Sequence, residues 1–190
     1  MCSMTWLYDA HIHLSDAEYE HDIPLILNCM KRLCIKACCV SMDYTSSKKT
    51  LELGKKSEYI LPFIGMHPEK AQDDTESIFK LIDENNETIS GIGEIGLDTT
   101  YTNSDEEFQK QEEVFKTQLS YAEKFGKPVS IHSRKTLDQI LEILPSYKVP
   151  SVLLHWFDGS KKQLQKAMDL DCYVSFGPVT VYSKDKQVLL

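Results

Sequence analysis

Short apolar stretches rich in β-branched and aromatic residues alternate along the chain with longer segments in which apolar residues recur at helical spacing. The short stretches predict seven β-strands. They cover residues 6–10 (continuing into 11–13), 37–42, 59–66, 88–95, 128–132, 151–156 and 171–176.

The longer segments predict six helices, of which the fourth has the clearest boundaries. Ser104 can cap this helix, the acidic residues 105–107 fill its first turn, and Gly126 is placed to end it. The other helices are expected to begin at Asp22, at Ser46 or Ser47, at Thr75, at about Thr136, and after Gly159 or Ser160.

Strands that alternate with helices are typical of repeated βαβ units and a parallel sheet. Both an open doubly wound sheet and a closed barrel have this pattern. No GxGxxG or GxxxxGK sequence follows a predicted strand, which disfavours the phosphate-loop versions of the open sheet. We therefore expect an α/β fold of the TIM-like (β/α) barrel type, with residues 1–190 forming a single domain.

The composition is that of a globular protein, with 42% apolar and 26% charged residues. Neither a membrane span nor a signal peptide is evident, so we expect a cytoplasmic protein without membrane association. The net charge of −8 argues against broad, non-specific binding of nucleic acid, although a bound metal ion can supply positive charge locally. The six cysteines fit no zinc-motif spacing and are expected to be buried small hydrophobes.

Histidines are concentrated at the carboxyl ends of the predicted strands. Only His21 lies elsewhere, and we expect it to be exposed. The strand-end positions are His11 and His13 after the first strand, His67 after the third, Glu94 at the fourth, His132 at the fifth and His155 at the sixth. In a (β/α) barrel these ends converge on one mouth, where active sites are built.

Imidazole nitrogens and carboxylates are the usual ligands of zinc and similar ions. A single histidine at a strand end is more often a structural hydrogen-bonding group, but five histidines with a glutamate favour a metal site. Alternation along the strand lets His11 and His13 face the same side. The glycines in the sequence GIGEIG leave room for other groups to approach Glu94. His67 is open to interpretation as either a site residue or a turn residue.

Five motifs extend this picture over nearly the whole chain. They are Asp9-Ala10-His11-Ile12-His13-Leu14, Gly65-Met66-His67-Pro68, Gly93-Glu94-Ile95-Gly96-Leu97-Asp98, Pro128-Val129-Ser130-Ile131-His132-Ser133-Arg134 and His155-Trp156-Phe157-Asp158-Gly159-Ser160. In this order they resemble the TatD-type metal-dependent deoxyribonucleases of the amidohydrolase-like barrel superfamily. Each motif alone is weak evidence, whereas five in the family order are a strong signal.

The resemblance implies a site for two divalent ions (Mg²⁺, Mn²⁺ or Zn²⁺) and hydrolysis of phosphodiester bonds in DNA by a metal-activated water. It implies that His11 and His13 bind one ion, that Glu94 bridges both ions, and that His132 and His155 bind the other.

Further residues near these motifs have two interpretations each. Arg134 is a candidate catalytic group that holds a phosphate oxygen, or else a surface residue. Asp98 can orient a ligand histidine or cap a loop. Trp156 or Phe157 can stack on a nucleobase, although one of the two is expected to pack in the core because alternate residues face opposite ways.

The resemblance also implies an eighth strand that carries a metal-binding aspartate, and no segment of this sequence matches it. We therefore expect a C-terminally truncated barrel whose eighth strand is missing. Its two unpaired edges, on the first and seventh strands, would invite self-association. A closed seven-stranded barrel is the alternative.

Two other functions remain open from the sequence. Related barrels with a His-x-His site hydrolyse carboxylic esters, amides or phosphotriesters. No lysine ends a strand where it would bridge two metals in the amidase relatives, and this favours the nuclease branch. The second alternative is an inactive protein that binds metal.

Overall fold

The computed structural model describes residues 5–189, and every strand within this range overlaps a predicted one. The strands are β1 (Leu7–Ile12), β2 (Ile35–Cys39), β3 (Ile60–Ile64), β4 (Gly91–Asp98), β5 (Val129–Arg134), β6 (Val152–Leu154) and β7 (Tyr173–Val174). The seventh strand is much shorter than the predicted stretch.

The six predicted helices are present, and a short seventh follows them. The helices of the described residues are α1 (Ile23–Leu33), α2 (Tyr44–Lys56), α3 (Thr75–Glu84), α4 (Asp105–Phe125), α5 (Leu137–Ile143), α6 (Lys161–Asp169) and α7 (Lys184–Gln187). Ser104 caps α4 by accepting a hydrogen bond from the Glu107 backbone, and Gly126 ends it in the left-handed conformation.

The predicted start of α2 at Ser46 or Ser47 is wrong. Asp43 is the cap, because its side chain accepts a 2.7 Å hydrogen bond from the Ser46 backbone N–H. Ser46 completes the capping box as the third helical residue. An aspartate and a serine three residues apart both have cap chemistry, and the sequence pattern favoured the wrong one.

The strands form one parallel sheet in the order β1-β2-β3-β4-β5-β6-β7. The helices α1 to α6 each connect neighbouring strands, and α7 follows β7, which gives the (β/α) barrel architecture with seven units. Within residues 5–189, β1 pairs only with β2 and β7 only with β6, so the sheet curls without closing. Because all strands are parallel, their carboxyl ends meet at one end of the curled sheet.

The hydrophobic core lies mainly between the strands β3 to β6 and the helices α3 to α5. All of β4 is buried, including Glu94 and Asp98. A smaller cluster joins β1 and β2 to α1. The most buried strand of the sheet is therefore the one that carries the central carboxylate.

The prediction for the cysteines holds only in part. Cys34 and Cys39 are buried and Cys38 is partly buried, but Cys29 lies exposed on α1. Cys2 lies outside the described residues. His21 is exposed, as predicted. No helix in the described part of the chain is both long and apolar enough to cross a membrane.

Candidate metal centre

A first group of possible ligands, His11, His13 and Glu94, meets where β1 faces β4. Oε2 of Glu94 lies 3.1 Å from Nε2 of His13 and 3.4 Å from Nε2 of His11. The two imidazole nitrogens are 3.2 Å apart. Two histidines and a carboxylate that converge in this way are a typical donor set for a divalent transition metal ion.

A second group uses the other oxygen of the same carboxylate. Oε1 of Glu94 lies 3.0 Å from Nδ1 of His132 and 3.8 Å from Nε2 of His67. These three residues form the second possible metal-binding group of the described chain. Glu94 thus offers one oxygen to each group, which is the placement expected of a bridging carboxylate.

Irregularities in the sheet aim two of these side chains. The β1–β2 register shifts between Asp9 and Ile12, on either side of His11. The β4–β5 register shifts between Ile92 and Ile95, on either side of Glu94. Bulges next to active sites commonly redirect a side chain, and simple alternation along a strand does not predict them.

Gly96 allows β4 and β5 to approach each other closely beyond Glu94. Its φ is +145°, and a Cβ at this position would lie 2.0 Å from the carbonyl oxygen of His132. The glycines around Glu94 therefore have the role that the sequence predicted, since any side chain here would push the two ligand strands apart.

The Glu94 carboxyl is anionic although it is only 3% exposed. Burial alone would raise its pKa, but hydrogen bonds from the surrounding imidazoles outweigh burial and hold the pKa well below its usual range. A buried carboxylate surrounded by imidazoles is thereby ready to accept a cation.

Asp98 contacts His132 on the side away from Glu94. Its Oδ2 lies 2.7 Å from Nε2 of His132, and its Oδ1 accepts hydrogen bonds from the backbone and hydroxyl of Thr100. Burial would lower the pKa of His132, but the two carboxylates that flank its ring raise it. Asp98 therefore makes the contact expected of a residue that orients a ligand histidine. Because the pKa of His132 is raised, metal binding would require this ring to release a proton.

His67 and His155 are neutral imidazoles. Burial, together with the neighbouring histidines, lowers the pKa of His67 to about 4 and that of His155 to about 3, although the Glu94 carboxylate opposes the shift. Neutral rings are the form in which histidine binds a metal. The backbone N–H of Glu69 donates to Nδ1 of His67, so this residue has both the site position and the turn contact between which the sequence could not choose.

His155 lies in the site but in a different place from the second group. Its ring stacks on His11 with a centroid distance of 3.4 Å and an interplanar angle of 3°. Its Nδ1 is buried and has no hydrogen-bond partner among the described residues. An orphaned imidazole nitrogen beside this donor set fits a missing cation, since buried polar groups are normally satisfied. Its role as a ligand stays a prediction.

Ser130 is a site residue that the sequence did not reveal. Its hydroxyl lies 2.9 Å from Nδ1 of His11, which leaves Nε2 of His11 directed at Glu94. Ser130 is two residues before His132 on β5, so the alternation of side chains along that strand was the available signal.

Two buried glutamines on α4 were also missed. The side-chain amide of Gln111 bonds the backbone N–H and C=O of Asp98 and the C=O of Pro68. Gln118 bonds the backbone N–H and C=O of Met66. These contacts attach the helix to the segments that carry His67 and Asp98. Their seven-residue spacing, on the apolar face of α4, was the signal in the sequence.

A cavity of about 590 Å³ opens beside the second group of ligands. Arg134 and Lys135 line it from the end of β5, and both are exposed. Trp156 lines it from the end of β6 and is 61% exposed, whereas the neighbouring Phe157 is 2% exposed and packs in the core. Both aromatic candidates for stacking border the cavity, but only the side chain of Trp156 is exposed.

The sequence matches a family model described as TatD related DNase over residues 8–189. Among curated relatives, YabD of Bacillus subtilis, described as a metal-dependent hydrolase, is 31% identical over 186 residues, which cover 95% of this chain and 72% of YabD. Human deoxyribonuclease TATDN3 is 25% identical over 198 residues, with 97% of this chain and 72% of TATDN3 covered.

Two solved structures have the same fold. The TatD homologue YJJV of Escherichia coli superposes with a TM-score of 0.85 at 21% identity, covering 96% of this chain and 73% of YJJV. A TatD family hydrolase of Entamoeba histolytica superposes with a TM-score of 0.80 at 20% identity, covering 98% of this chain and 70% of that protein.

Proposed function

This chain belongs to the TatD related DNase family, and we propose that it is a metal-dependent hydrolase that cleaves phosphodiester bonds of DNA at the cluster around Glu94. The observation that carries the proposal is the division of one buried carboxylate between two groups of imidazoles. The names of YabD and TATDN3 support the same chemistry.

Each residue of the cluster has a distinct proposed task. His11, His13 and Glu94 would hold one ion, and Glu94 with His132 would hold the other. The resemblance adds His155 to this second set, although its ring stacks on His11 and His67 completes the second group in the structure. Two divalent ions (Mg²⁺, Mn²⁺ or Zn²⁺) would supply Lewis acidity for the phosphate and an activated water. His67 faces the same Glu94 oxygen as His132 through its Nε2. Because its Nδ1 accepts the Glu69 backbone N–H, its neutral ring carries the proton on Nε2 and can donate a hydrogen bond to a substrate oxygen.

The chain's own residues also orient the ligands and bind the substrate. Asp98 accepts the Nε2 proton of His132 in a hydrogen bond and so leaves Nδ1 directed at Glu94. Arg134 lies at the end of β5, the strand that also carries His132, and it lines the cavity. There it can bind a phosphate group bidentately. Because the chain has a net charge of −8, local cations at the site are needed to attract a polyanionic substrate.

End-labelled single-stranded DNA, incubated with Mg²⁺, Mn²⁺ or Zn²⁺, tests the proposal directly. We expect metal-dependent cleavage that falls at least a hundredfold in His132→Ala, since a ligand and its charge contacts are lost. His21→Ala is the matched control, because His21 is exposed and lies outside the cluster. A wild-type chain that binds metal at defined stoichiometry without cleaving DNA would show a metal-binding protein instead of a nuclease.

We further propose that the chain self-associates through its open sheet edges. The outer edge of β1 exposes Leu7 and Tyr8, and that of β7 exposes Tyr173. Unpaired edges with exposed apolar side chains favour pairing with another chain.

A further inference from the structure

We propose that Trp156 is a stacking platform for one nucleobase of the substrate, so that the site takes an unpaired nucleotide beside the scissile phosphate. The inference rests on the proposed nuclease function and specifies its substrate as single-stranded or frayed DNA. It is carried by the position of the indole relative to the metal centre and by the cavity that the indole lines.

Three aromatic rings form one continuous stack from the metal centre to the cavity. His11 and His155 are parallel, with their centroids 3.4 Å apart. His155 and Trp156 follow at 5.5 Å with an interplanar angle of 10°. A planar base laid on the indole would continue this stack.

The backbone holds Trp156 in this position. Its φ is +47°, a left-handed conformation that bulky side chains rarely adopt. The backbone N–H groups of Trp156 and Phe157 bond the hydroxyl and carbonyl of Ser175. Phe157 then takes the core position beside Phe176. The turn thus places one aromatic residue inside the protein and the next one at the mouth.

Gly177 supports the indole from the following segment. A Cβ at this position would lie 2.2 Å from the indole Nε1, so only glycine allows the backbone to contact the ring edge. An isolated exposed aromatic is ordinary on a protein surface. Trp156 is 61% exposed, nearly parallel to the ring of His155 and supported by Gly177, so it is not an isolated aromatic.

The chemistry around the ring fits a nucleotide. The cavity of about 590 Å³ lies within the range of small-molecule sites and is bordered by Arg134 and Lys135. A π-face beside cations is the arrangement with which proteins bind single-stranded nucleic acid without sequence preference. In a paired duplex the faces of a base are covered by its neighbours, so only an unpaired or extruded base can stack on Trp156.

Fluorescence provides a test that does not depend on cleavage. The chain has two tryptophans, so Trp6→Phe leaves Trp156 as the sole indole reporter. With divalent ions chelated, we expect a short oligothymidylate to quench Trp156 emission. We expect it to bind about 5- to 150-fold more tightly than an abasic oligonucleotide of equal length and charge.

Three variants at position 156 test whether the indole ring causes the preference for the oligonucleotide that carries bases. Trp156→Ala should bind both oligonucleotides at the abasic level, Trp156→Phe should retain most of the preference, and Trp156→Leu should lose it although an apolar side chain remains. Circular dichroism shows whether each variant is folded. An undiminished preference for bases in folded Trp156→Leu or Trp156→Ala would overturn the proposal.

Activity separates this inference from the proposed function. With metal restored, we expect Trp156→Leu to reduce kcat/KM for single-stranded DNA by a larger factor than it reduces kcat/KM for an abasic strand of equal length. Base-dependent binding without any cleavage would refute the nuclease and leave the platform intact. Equal cleavage of single-stranded and blunt duplex DNA by the wild type would support the nuclease and refute the platform.

Discussion

At the scale of single residues, the site depends on hydrogen bonds that fix the orientation of each imidazole ring. Glu94 is buried between the two groups of imidazoles, and its charge is stabilised by their hydrogen bonds and by the charge interaction with His11. Two ligand histidines have their second nitrogen occupied, His11 by Ser130 and His132 by Asp98. Such contacts choose the tautomer and the direction of each ring before a metal ion binds.

We expect Ser130→Ala to lower metal affinity about 10- to 100-fold, because Nδ1 of His11 loses the group that orients it. Competition with a chromogenic chelator measures the affinity. Ser120→Ala, an exposed serine on α4, serves as the control and should bind metal as the wild type does. Unchanged affinity in folded Ser130→Ala would show that His11 is oriented by its other neighbours.

The sequence predicted that the principal side chains meet, because period and position along a strand are local properties. His11, Glu94 and His132 could therefore be brought together by topology alone. The position of Glu94 at the end of the fourth strand was wrong, since β4 continues to Asp98 and Glu94 lies in its middle. The stack of His155 on His11, and the choice between Trp156 and Phe157, depend on a left-handed turn after β6. No pattern in the sequence signals that turn, since neither glycine nor asparagine marks it.

At the scale of elements, α4 does more than cover the sheet. Its apolar face packs on β4, and two glutamines within that face hydrogen-bond backbone groups that no strand satisfies. A helix that supplies buried amides sets the position of the segments after β3 and β4, and thereby of His67 and Asp98. The helix was predicted from its apolar period and caps, whereas the glutamines look like surface residues without knowledge of their partners.

We expect Gln111→Leu to destabilise the fold by about 1–3 kcal/mol, because the backbone N–H and C=O of Asp98 would be buried without partners. In thermal denaturation this corresponds to a loss of about 2–4 °C for each kcal/mol. Gln109→Leu, at an exposed position of the same helix, should change the melting temperature little. Equal melting of the two variants would mean that water replaces the buried amide.

At the scale of the whole molecule, the strand order follows the chain order, and each connection joins strands that are neighbours in the sheet. The alternation of strands and helices predicted the α/β class, whereas the motifs and the resemblance were needed to choose the barrel over an open doubly wound sheet. The unpaired edges on β1 and β7 followed from counting strands. The small extent of β7 was not predicted from the sequence. The predicted strand over residues 171–176 includes Ser175, which lies beyond β7 and bonds the segment that carries Trp156.

We expect the wild-type chain to show concentration-dependent self-association in sedimentation velocity, and Leu7→Lys to weaken it. A lysine on an edge strand disfavours pairing with another strand, and Leu7 is 59% exposed, so the fold should tolerate it. Leu25→Lys on α1 is the control, since Leu25 is equally exposed but lies away from the edge. A wild type that sediments as a monomer at every concentration would contradict self-association.

The sequential strand order also determines the order in which the parts of the site can form during protein synthesis. The strands are synthesised in the order in which they lie in the sheet, so each strand leaves the ribosome directly after a neighbour with which it pairs. The first triplet of ligands is complete once β4 has docked, the second needs β5, and the stacking ring comes last, after β6. A nascent chain would thus acquire its capacity to capture metal well before its capacity to hold a base, so an immature site cannot engage nucleic acid through Trp156.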